Sequence, residues 1–323
     1  MRKPAQLLTC LLATFAACGA SAETWPQRPV RVLVGFAPGG TTDIIARKLA
    51  VPLAQALGKP VVVENRAGAS GMIASGELAR AEPDGYTIGM IISSNVSVPA
   101  IGRKLNFDPI ASFQAVALVG QVPMVFAVSP AVPVANLAEF VQLAKKRPGQ
   151  LFFSSPGIGL AHHFAGELFK LQAGVDIVHV PYSGAAPALA DVVAGQVATS
   201  FVAVPTVAGS LESGAVKALG LTGSRRTPRL PQLPTIAESG YPDYEITEWY
   251  GLAAPAGTPS AVVGRLNAEI NRILDTPEWK QWLRENAVLT PDGRTPADFQ
   301  KFIENEAAKF RRIAHDAHIS EAN

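Results

Sequence analysis

Val30-Arg31-Val32-Leu33-Val34-Gly35-Phe36-Ala37-Pro38-Gly39-Gly40-Thr41-Thr42-Asp43 reads as a buried strand, a glycine turn and the start of a helix. The valine-rich apolar run favours a strand. Pro38-Gly39-Gly40 stops it, because proline has no N–H and glycine tolerates positive φ. Thr41, Thr42 and Asp43 suit a helix N-cap or first turn, and the helix should run to Leu57 with Gly58 as its stop. A junction of this kind leaves backbone N–H groups and a positive dipole end aimed at one spot, which suits an anion. A plain βα turn has the same sequence. A second copy of the pattern further along favours the anion site.

Outward from this stretch, Pro60-Val61-Val62-Val63-Glu64-Asn65 is a second strand. The glycine-rich turn Arg66–Gly71 and a helix from about Met72 to Ala81 follow. Tyr86–Ile92 is a third strand, ending in the polar loop Ser93-Ser94-Asn95. Strands alternating with helices over short loops predict a parallel sheet covered on both faces, with ligands beyond the carboxyl ends of the strands. Ala115–Val119 and Met124–Val128 form strand on either side of an interruption at Gly120–Pro123, where the chain should cross to a second lobe. The pattern then restarts. Leu151–Ser154 is a strand, Ser155-Pro156-Gly157-Ile158-Gly159 a glycine loop, and Ala161–Leu171 a helix, making a second anion-competent junction. Val175–Val180, Val197–Val204 and Ala215–Leu221 read as strands, with a helix over Ala185–Ala194. Glu248–Pro255 is the return crossing, and helices over Ser260–Leu274, Pro277–Glu285 and Pro296 to about Ala317 close the chain. The expected organisation is a leader over 1–22, one lobe from 23–121 plus 249–323, and another from 122–248.

The 323 residues suffice for two such lobes. With 48% apolar and 17% charged residues the chain is too hydrophobic for disorder, and a net charge of +2 carries no nucleic-acid footprint. Arg2 and Lys3, the apolar run Leu7–Ala17 and Ala20-Ser21-Ala22 make a cleavable export signal, so the mature chain should begin at Glu23 in the periplasm. Phe15-Ala16-Ala17-Cys18 is the competing, lipid-anchored reading. Both cysteines, Cys10 and Cys18, lie in the leader, which leaves the mature chain without disulfide, thiolate metal site or cysteine nucleophile.

Several chemistries find no support. Gly157-Ile158-Gly159-Leu160-Ala161-His162 lacks the third glycine of a dinucleotide fingerprint, and there is neither a P-loop nor a G-x-S-x-G elbow. His162 and His163 are helix neighbours facing different directions, and no carboxylate pair completes a metal site with them or with His179. The simpler role of His163 is to cap or pack against its loop. Trp249 and Tyr250 read as packing at the return crossing.

Nearly the whole mature chain resembles the periplasmic substrate-binding proteins of tripartite tricarboxylate transporters, the Bug family. The resemblance is carried by Trp25-Pro26 with Arg28-Pro29, Phe36–Asp43, Val63–Gly71 and Pro83–Tyr86. It continues through Ser155–Gly159 with His163, Gly166–Phe169, His179–Tyr182, Leu233–Gly240, Trp249–Gly251 and Pro255–Pro259. It implies a two-lobed, type II periplasmic-binding fold: α/β lobes, each a mostly parallel sheet flanked by helices, joined by two crossing strands. It also implies a small carboxylate ligand held between the glycine loops, partly through water. Carried over by position, Phe36, Gly39, Gly40, Thr41 and Asp43 serve from the first lobe, with Ala69 and Ser70 beside them. Ser155, Gly157, Ile158, Gly159 and His163 serve from the second, with Tyr182 and Ser183 near. Asn95 joins them as the polar end of the third strand. Two positions depart from the family pattern: Leu160 stands where a small hydroxyl residue is common, and Ala198-Thr199 where an acid is common.

Neither loop contains Lys or Arg, so the grip must come from N–H groups, hydroxyls and dipole ends. Four charge-assisted bonds at about 1.5–3 kcal/mol each would give about 6–12 kcal/mol before ordering costs, compatible with micromolar binding. The expected protein is a monomeric, cofactor-free binding protein that closes on its ligand and hands it to membrane transporter subunits. The competing readings are an exported hydrolase using Ser70 or Ser155, and a sensor that passes its closed state to a signalling partner.

Overall fold

The structure is a computed structural model that describes residues 25–321. The export signal, Cys10, Cys18 and the expected cleavage after Ala22 lie outside the described residues. Strand β1 (Val30–Val34) is buried because β2 (Val61–Asn65) and β3 (Thr87–Ile92) flank it, both parallel to it. Helix α1 (Thr41–Leu57) covers this sheet with Ile45, Leu49 and Leu53, spaced to share one face, and ends at Gly58 in the left-handed conformation. Both run as the sequence predicts.

Strand β9 (Thr247–Pro255) pairs antiparallel with β3, and β4 (Phe113–Val128) pairs antiparallel with β9. The expected interruption at Gly120–Pro123 does not occur. Strand β4 is continuous over 16 residues, and two register shifts, at Ala115/Ala117 and Leu118/Gly120, absorb the irregularity. Reciprocal backbone bonds between Gln121 and Leu289 hold it there. Pro123, which can donate nothing, faces Thr247 at the end of the β9 ladder.

The second half of β4 is the central strand of the other lobe. It pairs antiparallel with β7 (Thr199–Ala203) on one side and β8 (Lys217–Leu221) on the other. Strands β5 (Leu151–Ser155) and β6 (Ile177–Pro181) extend the β7 side in parallel, so the order through both lobes is β2-β1-β3-β9-β4-β7-β5-β6. Phe126 of β4 stacks on Phe201 at 4.7 Å and meets Phe140 edge-on at 4.9 Å, all fully buried, in helix α4 (Leu137–Lys146) in the last case. Each such ring contributes about 1.5–3 kcal/mol of burial.

The remaining helices are α2 (Met72–Ala79), α3 (Ser94–Ala100), α5 (Ala161–Ala173), α6 (Ala185–Val193), α7 (Val204–Glu212), α8 (Ser260–Leu274), α9 (Pro277–Glu285) and α10 (Pro296–Asp316). Two differ from expectation. Ser94 and Asn95 open a helix rather than finish a loop, and Val204 starts α7 instead of ending a strand, since Pro205 cannot continue a ladder but suits a helix start. Helix α10 packs on both lobes, with Phe310 edge-on to Phe164 of α5 at 4.8 Å and Phe299 edge-on to Trp249 of β9 at 5.9 Å. No helix among the described residues is long and apolar enough to cross a membrane.

Candidate ligand-binding cleft

Between the lobes lies a cavity of about 580 Å³. It sits where four strands hand over to four helices: β1 to α1, β5 to α5, β6 to α6 and β7 to α7. The residues preceding those helices, Gly40, Leu160, Gly184 and Ala203, all line it, and none makes a side-chain cap. Each helix therefore turns first-turn N–H groups that no N-cap side chain satisfies, and a positive dipole end, toward one space. No Lys or Arg is among the described residues that line it. The sequence marked two such ends. All four lack a Ser, Thr, Asp or Asn cap; α1 and α5 were marked by their glycine loops, and for α6 and α7 the hints were Gly184 and Pro205.

The first loop is braced from behind by Asp43. Its carboxylate accepts from the Gly39 N–H at 2.9 Å, from Asn65 Nδ2 at 2.8 Å and from Arg47 Nε at 2.9 Å. Asn65 Nδ2 also donates to the Phe36 carbonyl at 2.9 Å. Burial works to raise the Asp43 pKa, but the bonds from Arg47, Gly39 and Asn65 outweigh it and hold it at about 2. Asp43 is buried and shapes the loop, while Phe36, Gly39, Gly40 and Thr41 face the cavity. Ser70 joins them from the second turn. That turn is pressed close: a Cβ on Gly35 would lie 2.6 Å from the Gly71 Cα. Ala69 and Ser70 hold left-handed conformations (φ 48° and 57°), which cost non-glycine residues roughly 1–2 kcal/mol each. Ala69 is exposed and outside the cavity lining. Asn95 lies behind the wall formed by Ile92, its amide used up on the Ile92 N–H at 3.0 Å and the Ser75 hydroxyl at 2.8 Å.

In the second loop the residues facing the cavity are neighbours of those the sequence singled out. Pro156, Leu160 and His162 line it. Ser155, Gly159 and His163 are buried and fix the loop, while Gly157 and Ile158 are half-buried and outside the cavity lining. Ser155 Oγ pairs with His179 Nε2 at 2.6 Å, and the Gly159 N–H donates to His163 Nδ1 at 3.3 Å. The His163 ring stacks on His179 at 3.9 Å beside a separate hollow, so the packing role suggested for it is what the structure shows. Burial lowers His163 to about 4 and His179 to about 3, with Lys170 adding to the effect on both. From the other lobe, Ser97 Oγ on α3 donates to the Gly159 carbonyl at 2.7 Å, bridging the cleft. Tyr182 turns its hydroxyl to Asp191 at 2.6 Å, and Ser183 is exposed, while Gly184 and Ala185 just beyond them line the cavity.

Glu248 and Tyr250, on the return strand, also line the cavity. Strand alternation explains this: Trp249 points into the core, fully buried, and its two neighbours point the other way. Tyr250 is thus a cleft residue as well as crossing packing. Its hydroxyl donates to Glu248 Oε2 at 2.9 Å and also bonds the Thr41 side chain. His162 Nδ1 stands 3.7 Å from Glu248 Oε1. Among the described residues, no group of three or more His, Cys, Asp or Glu could hold a metal.

Comparison with known proteins agrees with this architecture. Residues 45–319 match the family described as tripartite tricarboxylate transporter family receptor. Protein BugT of Bordetella pertussis is 35% identical over 300 residues, covering 92% of this chain and 91% of its own. The solved structure of Rpa4515 from R. palustris with adipate superposes with a TM-score of 0.82 at 36% identity, covering 92% of this chain and 99% of that one. MatC from Rhodopseudomonas palustris with bound malate superposes at 0.78 with 32% identity, covering 90% and 99%. On the extent of these matches, the chain is a solute-binding protein of the two-lobed fold and belongs to the tripartite tricarboxylate transporter receptor family, among the Bug proteins.

Proposed function

We propose that this protein captures a small carboxylate-bearing ligand in the interlobe cleft and delivers it to a membrane transporter of the tripartite tricarboxylate type. The observation that carries the reading is the set of four uncapped helix N-termini around one cavity without cationic side chains. Its volume of about 580 Å³ falls within the usual range for small-molecule sites. The bound adipate and malate of the related structures are ligands of the same class. The lobes are 23–121 plus 249–323, and 122–248, with β4 crossing near Gln121 and β9 near Glu248. Ligand touching both lobes favours the closed state. The leader over 1–22 places the mature, monomeric chain in the periplasm.

Of the two serines that the hydrolase reading names, Ser155 is the one paired with a histidine, His179. Ser155 is fully buried, and a histidine held at about 3 by burial is a poor general base at neutral pH, so the pair is assigned to holding the loop. The test is a thermal-shift screen of the chain from Glu23, refolded to strip ligand, against small carboxylic acids. A true ligand at 100 times its Kd should stabilise by about 2.7 kcal/mol. Silence across the acids, or ester turnover lost in Ser155→Ala, would overturn the assignment.

A further inference from the structure

The cavity is electrically two-sided. Around it stand the positive ends of four helices, yet the single full charge among its described lining residues is negative, that of Glu248. The carboxylate is anchored by Tyr250, while its other oxygen, Oε1, faces His162 Nδ1 across 3.7 Å, too far for a hydrogen bond. His162 is only 5% exposed, and its Nδ1 has no hydrogen-bond partner. A buried orphan nitrogen is costly unless something supplies its bond. Burial depresses the basicity of this ring, against the pull of Glu248, and in the neutral tautomer with its proton on Nε2 the unpartnered Nδ1 is an acceptor. A gap between a carboxylate oxygen and an accepting nitrogen is filled by a group with several N–H donors. A second carboxylate placed there would meet Glu248 at close range, like charge on like.

We propose, building on the carboxylate reading above, that the ligand is zwitterionic: its carboxylate lies at the helix N-termini and an ammonium group bridges Glu248 Oε1 and His162 Nδ1. Glu248 is then the residue that selects amino acids over dicarboxylates of equal length.

The experiment is calorimetry on the ligand-stripped chain from Glu23 with three series matched in length. These are 4-aminobutyrate, 5-aminovalerate and 6-aminohexanoate; succinate, glutarate and adipate; and butyrate, valerate and hexanoate. In the wild-type protein, one amino acid should bind about tenfold or more tightly than both of its partners, the worth of one charge-assisted bond. Glu248→Gln should erase the advantage over the simple monoacid and improve binding of the dicarboxylate. The wild-type ranking stands whether or not the variant folds. A dicarboxylate or monoacid that equals or outbinds its amino partner overturns the zwitterion and leaves the carboxylate grip standing. Failure of every acid in all three series removes both.

Discussion

Replacing Asp43 by Asn probes the brace behind the first glycine loop. The carboxylate takes donors on both oxygens, from Gly39, Asn65 and Arg47. An amide must turn an NH₂ group toward one of them, whichever way it is flipped. The folded state holds Asp43 at about 2 against an ordinary 3.8, which corresponds to about 2 kcal/mol of stability carried by the ionised form. The sign is fixed by the depressed value. Folding releases the proton, so the contribution is complete above pH 4 and disappears as pH falls from about 4 to 2. Urea unfolding followed by tryptophan fluorescence should show Asp43→Asn less stable by at least about 2 kcal/mol at pH 7. The gap should close over that acid window, because the wild-type carboxyl then also places a hydrogen in the network. A gap that stays constant down to pH 2, or none at pH 7, would refute the ionic brace.

Three other perturbations test the frame. The buried rings of His163 and His179, held at about 4 and about 3 against an ordinary 6.5, remain neutral while the unfolded chain takes up protons. Stability should therefore decline as pH falls from 6.5 toward 4, and His179→Gln should flatten that decline in urea titrations. Gly166→Ala places a Cβ 2.1 Å from Cε2 of the fully buried Phe153, and should cost about 1–3 kcal/mol, read from the urea midpoint. Ser97→Ala deletes the bond to the Gly159 carbonyl, and by calorimetry should weaken ligand binding about fivefold, the equivalent of about 1 kcal/mol. An unchanged affinity would exclude that bond from closure.

The sequence was most legible where one local signal sufficed. The apolar run of β1, the stop at Gly58 and the start of α10 at Pro296 all speak from within a few residues. Strand β4 was harder. Gly120 and Pro123 look like a break, and only pairing with β9 and Leu289, distant in sequence, keeps the strand whole. In the second loop, local pattern located the junction but not which residues face the cavity. That depends on the His163–His179 stack and on Ser97, contacts across 16 and 62 positions. Glu248 and Tyr250 were hidden because the return strand reads as packing; its period of two, anchored on buried Trp249, would have turned them to the cleft.

Four backbone helix ends, rather than arginines, ring the cavity, and this bears on how such a chain can diversify. A side-chain grip is lost with one codon. A backbone N–H survives every substitution except proline. The wall positions Ile92, Leu160, Thr206 and Glu248 can therefore change one at a time while the shared grip persists. A duplicated gene need not pass through a non-binding intermediate to acquire a new cargo.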